Sequence, residues 1–337
     1  MEIDIFNIQP HVVSRDLSGK SFLFYGAKKS GKTSTACKFP KPLLIAAEKG
    51  YDMISGIRAQ TVNKWAELLK IKKQLLKDAD AVARGEKEST FYQTIILDTG
   101  DLAYDFCEKY ILDNEGVQYM SETENMRGYK AAQREFDSYL QEIVKAGYTL
   151  IVISHSTTAQ IKEKNGEKYE RIQPTLDKRA SLVVSRLVDV IGYITPETDD
   201  EGVTRTMMYM RETKFLEAGS RNPYTSEKIV LSYENLRDDI ARAIDTMEAN
   251  GAAVTNEREN LFTEQSETAD FDSTLKAVAK AAKAVKAAGL EDDYTAIVEK
   301  YLGKGRLARD CTKDQVDHLT LILDDVRELA MLNGIAI

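Results

Sequence analysis

The chain has 337 residues, with 46 basic and 54 acidic side chains, a net charge of −8, 43% hydrophobic and 30% charged content. That balance excludes a protein coated in positive charge but allows a local basic groove, and the length provides core for about two domains. No apolar run nears the roughly 20 residues of a membrane span. The acidic start MEIDIFNIQP lacks the features of a signal peptide. Cys37, Cys107 and Cys311 are too far apart for metal-like spacing. They read as free thiols of a reducing cytoplasm, the expected location. With only His11, His155 and His318 present, a histidine-based metal site is not expected.

In chain order, Ser21 to Tyr25 reads as a short buried strand and Ser34 to Lys38 as a helix start. Between them lies GAKKSGKT: Gly26, Ala27, Lys28, Lys29, Ser30, Gly31, Lys32 and Thr33, with Ser34 next. This matches a phosphate-binding loop at every defined position. Its backbone N–H groups wrap phosphates at a helix N-terminus, Lys32 reaches the β- and γ-phosphates, and Thr33 ligates Mg²⁺. ATP and Mg²⁺ are the expected cofactors. Leu43 to Ala47 reads as a strand delivering Glu48. Trp65 to Leu76 has helical spacing, and residues 77–87 read as an exposed charged connection.

Thr94 to Leu97 forms an apolar strand that presents Asp98, the natural Mg²⁺-organising carboxylate beside Thr33. The next residue, Thr99, is not the acidic residue that often activates water there. Glu48 is therefore the first candidate for that base and Asp101 the second. Tyr129 to Ala146 reads as an amphipathic helix with Ala132, Phe136, Leu140 and Val144 on one stripe. Thr149 to Ile153 is a strand ending in Ser154-His155-Ser156, which suits His155 to sense the γ-phosphate. Alternating strands and helices predict an α/β fold with a mainly parallel sheet, whose ligand edge is the C-terminal one.

In that order, GAKKSGKT, LLIAAEKG, TIILDTGD and GYTLIVISHS resemble the RecA-like core P-loop ATPases of bacteriophages, over roughly residues 15 to 247. The resemblance implies a RecA-like NTPase core and ATP hydrolysis linked to single-strand annealing or recombination. It also implies a catalytic glutamate after the second core strand, matching Glu48, and a coupling residue at His155. Basic residues inserted into a neighbour's nucleotide site are a further implication. Lys214 and Arg221 are the candidates, and they make self-association an expectation, alongside phage or host recombination proteins as partners.

The segment after His155 carries Lys162, Lys164, Lys168, Tyr169 and Arg171 around an Asn165-Gly166 hairpin turn. Lysines for phosphates and a ring for a base suit single-stranded DNA. Glu163, Glu167 and Glu170 interleave, so an exposed hairpin of cross-strand ion pairs is the competing reading. SLVVSRLVDVIGYI reads as helix then strand, and Arg205 to Phe215 as a further strand.

Two domains joined by a linker are expected: the RecA-like ATPase core over 1–247, the linker over 248–270 and a small all-helical unit over 271–337. In the last, Leu275, Val278, Ala282 and Val285 form an apolar stripe, and Thr312 with Gln315 a capping box. Its lysine face (Lys276, Lys280, Lys283 and Lys286), with Lys304, Arg306 and Arg309, suits either nucleic acid or solvent. Two functional classes follow. One is an ATPase acting on single-stranded DNA; the other is a P-loop regulatory or loader ATPase whose partner is a protein.

Overall fold

The computed structural model describes residues 10, 12–163, 166–256 and 270–335. They fall into two compact units, an α/β unit up to residue 256 and a helical unit from 270.

The α/β unit begins with β1 (Val13–Ser14), β2 (Ser21–Gly26), α1 (Lys32–Ala36), β3 (Pro42–Ala46) and β4 (Arg58–Thr61). Next come α2 (Trp65–Ala83), β5 (Thr94–Asp98), α3 (Gly100–Glu115), α4 (Arg127–Lys145), β6 (Thr149–Lys162) and β7 (Lys168–Pro174). It closes with α5 (Lys178–Leu187), β8 (Val190–Thr198), β9 (Thr204–Tyr209), β10 (Gly219–Ser220), β11 (Lys228–Val230), α6 (Tyr233–Ala249) and β12 (Val254–Thr255). The main sheet runs β11-β9-β8-β2-β6-β5-β3-β4, with β10 paired to β8 and β7 to β6. The six strands from β8 to β4 are parallel; β7, β9, β10 and β11 pair antiparallel.

Each central strand is a continuous apolar run because the sheet is covered on both faces. The period-2 pleat divides those runs between two cores. Leu23, Ile45, Ile95, Leu97, Leu150 and Val152 face α2 to α5, where Trp65, Phe136 and Leu140 pack. Phe22, Phe24, Leu44, Ile96, Ile151 and Ile153 face Phe39 and the α6 residues Leu236, Ile240 and Ile244. Phe136 is fully buried, in edge contact with Tyr104. Its replacement by Ala should cost about 3–5 kcal/mol, read as a lowered midpoint for this unit in thermal denaturation.

Some boundaries differ from the sequence reading. The helix after the phosphate loop is only five residues, Lys32–Ala36. Pro40 and Pro42 follow closely, and neither can extend a helix. The stretch read as an exposed connection is helical up to Ala83, because Ala79 and Ala81 are buried good helix formers. The strand expected to end near His155 continues to Lys162. Arg205 to Phe215 forms a shorter strand, Thr204–Tyr209. β12 pairs parallel with β1, carrying the first unit past the expected end at 247.

The second unit packs α7 (Phe271–Ala287), α8 (Glu291–Leu302) and α9 (Val316–Leu332) around Val278, Val285, Val298, Ile322 and Val326. Asp270 caps α7, accepting from the Ser273 N–H at 2.9 Å, and the Thr312–Gln315 box precedes α9. Lys276, Lys280 and Lys283 lie exposed on α7, whereas Lys286 is paired with Glu291 at 2.7 Å and lies over Tyr294.

Candidate nucleotide site

Four strands bring their chemistry to one sheet edge. Gly26 ends β2 and pairs in register with His155 on β6; Asp98 ends β5 beside Ile153 of β6, and Ala46 of β3 pairs with Asp98. β6 thus separates the phosphate-loop strand from the strand carrying Asp98. Gly26 has a φ of 157°, and a Cβ there would lie 2.1 Å from the Ile194 carbonyl oxygen of the next strand. Gly26→Ala should therefore distort the loop through its backbone, seen as lost nucleotide binding with the helical unit still folded. Gly31, with φ 86°, turns the chain into α1 through the left-handed region that favours glycine.

Lys32 is 5% exposed and donates to the carbonyls of Gly26 at 2.9 Å and Ala27 at 2.7 Å. Burial pushes its pKa down, while Asp98, Glu48 and Asp101 act in the opposite sense and favour the ammonium form. Thr33 Oγ1 donates to Asp98 Oδ2 at 2.7 Å. Asp98 is held above the usual carboxylate range, first by burial and further by Glu48, against the Thr33 hydrogen bond, Lys32 and His155. A buried carboxylate penalised in this way gains from a cation, so Asp98 and Thr33 fit Mg²⁺. Ser30 Oγ, buried with no hydrogen-bond partner among the described residues, adds a donor that a phosphate oxygen would satisfy. The N–H groups opening α1 have no intrahelical acceptor, and α1 is so short that they, more than a helix dipole, hold an anion.

Glu48 follows β3, and its backbone N–H donates to the Asp98 carbonyl at 3.1 Å. Its half-exposed carboxylate lies 3.3 Å from His155 Nε2, and His155 Nδ1 is buried with no partner among the described residues. Glu48, Asp98, Lys32, Thr33 and His155 thus gather around one loop. Thr99 has a different task from the water activation often served at that position. It caps α3, accepting from the Leu102 N–H at 3.4 Å. Asp101 points its carboxylate to Thr175 Oγ1 at 2.6 Å and Ser154 Oγ at 3.3 Å.

The remaining candidates lie elsewhere. The β6–β7 register runs from Ser156↔Pro174 to Lys162↔Lys168, so Lys162 and Lys168 face each other on one side of the ribbon. Tyr169 and Arg171 occupy the other side, so the pleat divides the hairpin's candidate residues between two faces. Arg171 pairs with Glu212 at 2.6 Å, and Tyr169 meets the Phe215 ring edge-on. Lys164 and Asn165 lie outside the described residues, as does 257–269 of the expected linker. Lys214 pairs with Glu163 at 2.7 Å and lies over Tyr169, bound to its own hairpin. Arg221 pairs with Asp189 at 3.1 Å just before β8, at the sheet edge opposite the phosphate loop. Phe215, 57% exposed, was not singled out in the sequence; a lone Phe in a loop gives no signal of its strand partner.

The AAA domain family model matches residues 18–222, which span the phosphate loop, Glu48, Asp98, His155 and the hairpin. The chain belongs to the AAA domain family. This AAA-domain chain is also 30% identical over 334 residues to the SPbeta prophage-derived uncharacterized protein YorG of Bacillus subtilis (strain 168), covering 98% of this chain and 99% of that protein. Among solved structures it is similar to the flagellar accessory protein FlaH of Methanocaldococcus jannaschii, at 10% identity and a TM-score of 0.35, over 64% of this chain and 85% of that one. Family and sheet order together make the first unit an α/β P-loop NTPase fold with a mainly parallel sheet.

Proposed function

We propose that this AAA-domain protein is a Mg²⁺-dependent ATPase of phage type whose nucleotide site governs a hairpin that contacts single-stranded DNA during recombination or annealing. The carrying observation is the course of β6. Its His155 sits in register with Gly26 of the phosphate loop, and the same strand continues as the first arm of the hairpin. Bound Mg²⁺ would be held by Thr33 and Asp98 and would neutralise phosphate charge. Lys32 and the loop N–H groups orient the phosphates, Glu48 holds the attacking water and receives its proton, and His155 fixes the Glu48 carboxylate.

Lys162 and Lys168 support a polyanion partner. They sit directly opposite each other, and neither has an ion-pair partner among the described residues. Like charges so placed repel, and a phosphate between them relieves that repulsion. Replacing both with Ala should weaken single-strand binding and lower the slope of log affinity against log salt by up to about 1.4 units, while nucleotide binding is unchanged. Equal affinity and slope for wild type and variant would remove the hairpin from the DNA reading. Absence of DNA binding at low salt would favour the loader reading, to which the interleaved Glu163, Glu167 and Glu170 already lend support.

Self-association belongs to the same proposal, with a neighbour's Lys214 or Arg221 reaching the γ-phosphate. Arg221 would first have to leave Asp189. Mixing Arg221→Ala with Lys32→Ala protein should restore part of the hydrolysis if the arginine acts between subunits. No restoration would leave Arg221 as the structural partner of Asp189.

A further inference from the structure

Asp101 stands three residues after Asp98, in the first turn of α3, and touches both arms of the hairpin at their base. Thr175, the residue after β7, donates its hydroxyl to Asp101 Oδ1 at 2.6 Å, and its N–H donates to the His155 carbonyl at 3.0 Å. Ser154 on β6 donates to the same Asp101 oxygen at 3.3 Å, and its Oγ lies 3.2 Å from Thr175 Oγ1. Asp101 Oδ2 is buried and accepts no hydrogen bond among the described residues.

We propose that Asp101 is a positioning residue that joins the Asp98 strand end to the base of the β6–β7 hairpin and carries nucleotide state to it. The proposal rests on reading the site as nucleotide-dependent; it does not depend on what the hairpin binds. A shift of Asp98 on binding magnesium nucleotide moves the start of α3 directly, since only Thr99 and Gly100 intervene before Asp101. From the base, the hairpin runs through seven residue pairs to Lys162↔Lys168. At about 3.3 Å per residue that last pair lies roughly 20 Å away, so a small rotation at the Asp101–Thr175 contact is enlarged there. A carboxylate with one bonded and one orphaned buried oxygen is costly to hold, which suits a contact that rearranges.

The test uses amide hydrogen exchange of the full chain, with and without ATP and Mg²⁺, followed over residues 156–162 and 168–174. Wild type should show a nucleotide-dependent change in hairpin exchange. Thr175→Val keeps the side-chain shape but removes the donor. It should shrink that change by about fivefold, the weight of one hydrogen bond, with nucleotide affinity kept. Thr175→Ser restores the donor and should restore the response. A merely structural contact would lower protection equally with and without nucleotide, and that result overturns the proposal. So does a wild-type hairpin that ignores nucleotide, or a Thr175→Val protein that responds as wild type does. A normal response in a protein that binds no DNA would sink the DNA reading and leave the coupling intact.

Discussion

Lys32→Ala should reduce ATP hydrolysis by about 10²–10³-fold, the range seen when one preorganised charged or polar donor is taken from a transition state. The ammonium is buried against the carbonyls of Gly26 and Ala27 and is favoured in its charged form by Asp98, Glu48 and Asp101. A charge already held inside the loop by two carbonyls has only a short distance to move to meet the negative charge that builds on the phosphates. Alanine removes that charge and leaves two carbonyls without their donor, so loop stability should fall as well. Lys32→Met, which loses the charge and the donor alike but retains the buried stem, separates lost packing from lost charge. Hydrolysis should be lost in both variants, whereas thermal unfolding should be less affected by methionine. Wild-type turnover in purified Lys32→Met protein would end the nucleotide reading.

Much of this site was legible in the sequence because its chemistry lies at strand ends. An apolar run followed by Glu48, and another by Asp98, announces both a buried strand and the edge it reaches. The loop itself is a contiguous motif, so its eight residues needed no tertiary information. What escaped depends on pairing. That β6 runs on past His155 is hidden because its second half is polar and half-exposed, lacking the apolar run that marked the first. The sequence marks the hairpin lysines as residues but not as sides of a ribbon, since the register that separates Lys162 and Lys168 from Tyr169 and Arg171 is set by the partner strand. Lys214 and Arg221 read as free cations in the sequence; Glu163 and Asp189, distant along the chain, neutralise them in the fold. Thr99 also carries a local signal, a threonine just before the apolar spacing of Ala103, Tyr104 and Cys107, which suits a helix cap.

That missing neighbour leads to the second large effect. Glu48→Gln should keep ATP binding and lower turnover by about 10²–10⁴-fold, the usual contribution of a positioned general base. Gln retains the size and the hydrogen-bond contact toward His155 Nε2 but cannot take a proton. Only the step that activates water should therefore suffer, and kcat and kcat/KM should fall together. The alternative carboxylate has one oxygen engaged and the other buried. Asp101 Oδ1 accepts from Thr175 and Ser154, so Asp101→Asn, which keeps an acceptor there, should lower turnover far less than Glu48→Gln does. Glu48 instead lies at the open edge, half-exposed, with its backbone bonded to the Asp98 carbonyl and its carboxylate steered by a histidine on the next-but-one strand. Single-turnover hydrolysis of prebound ATP decides between them, because it reads chemistry apart from binding and product release. If Asp101→Asn stalls that step and Glu48→Gln does not, the base sits on α3, and the contact to the hairpin is a by-product of catalysis.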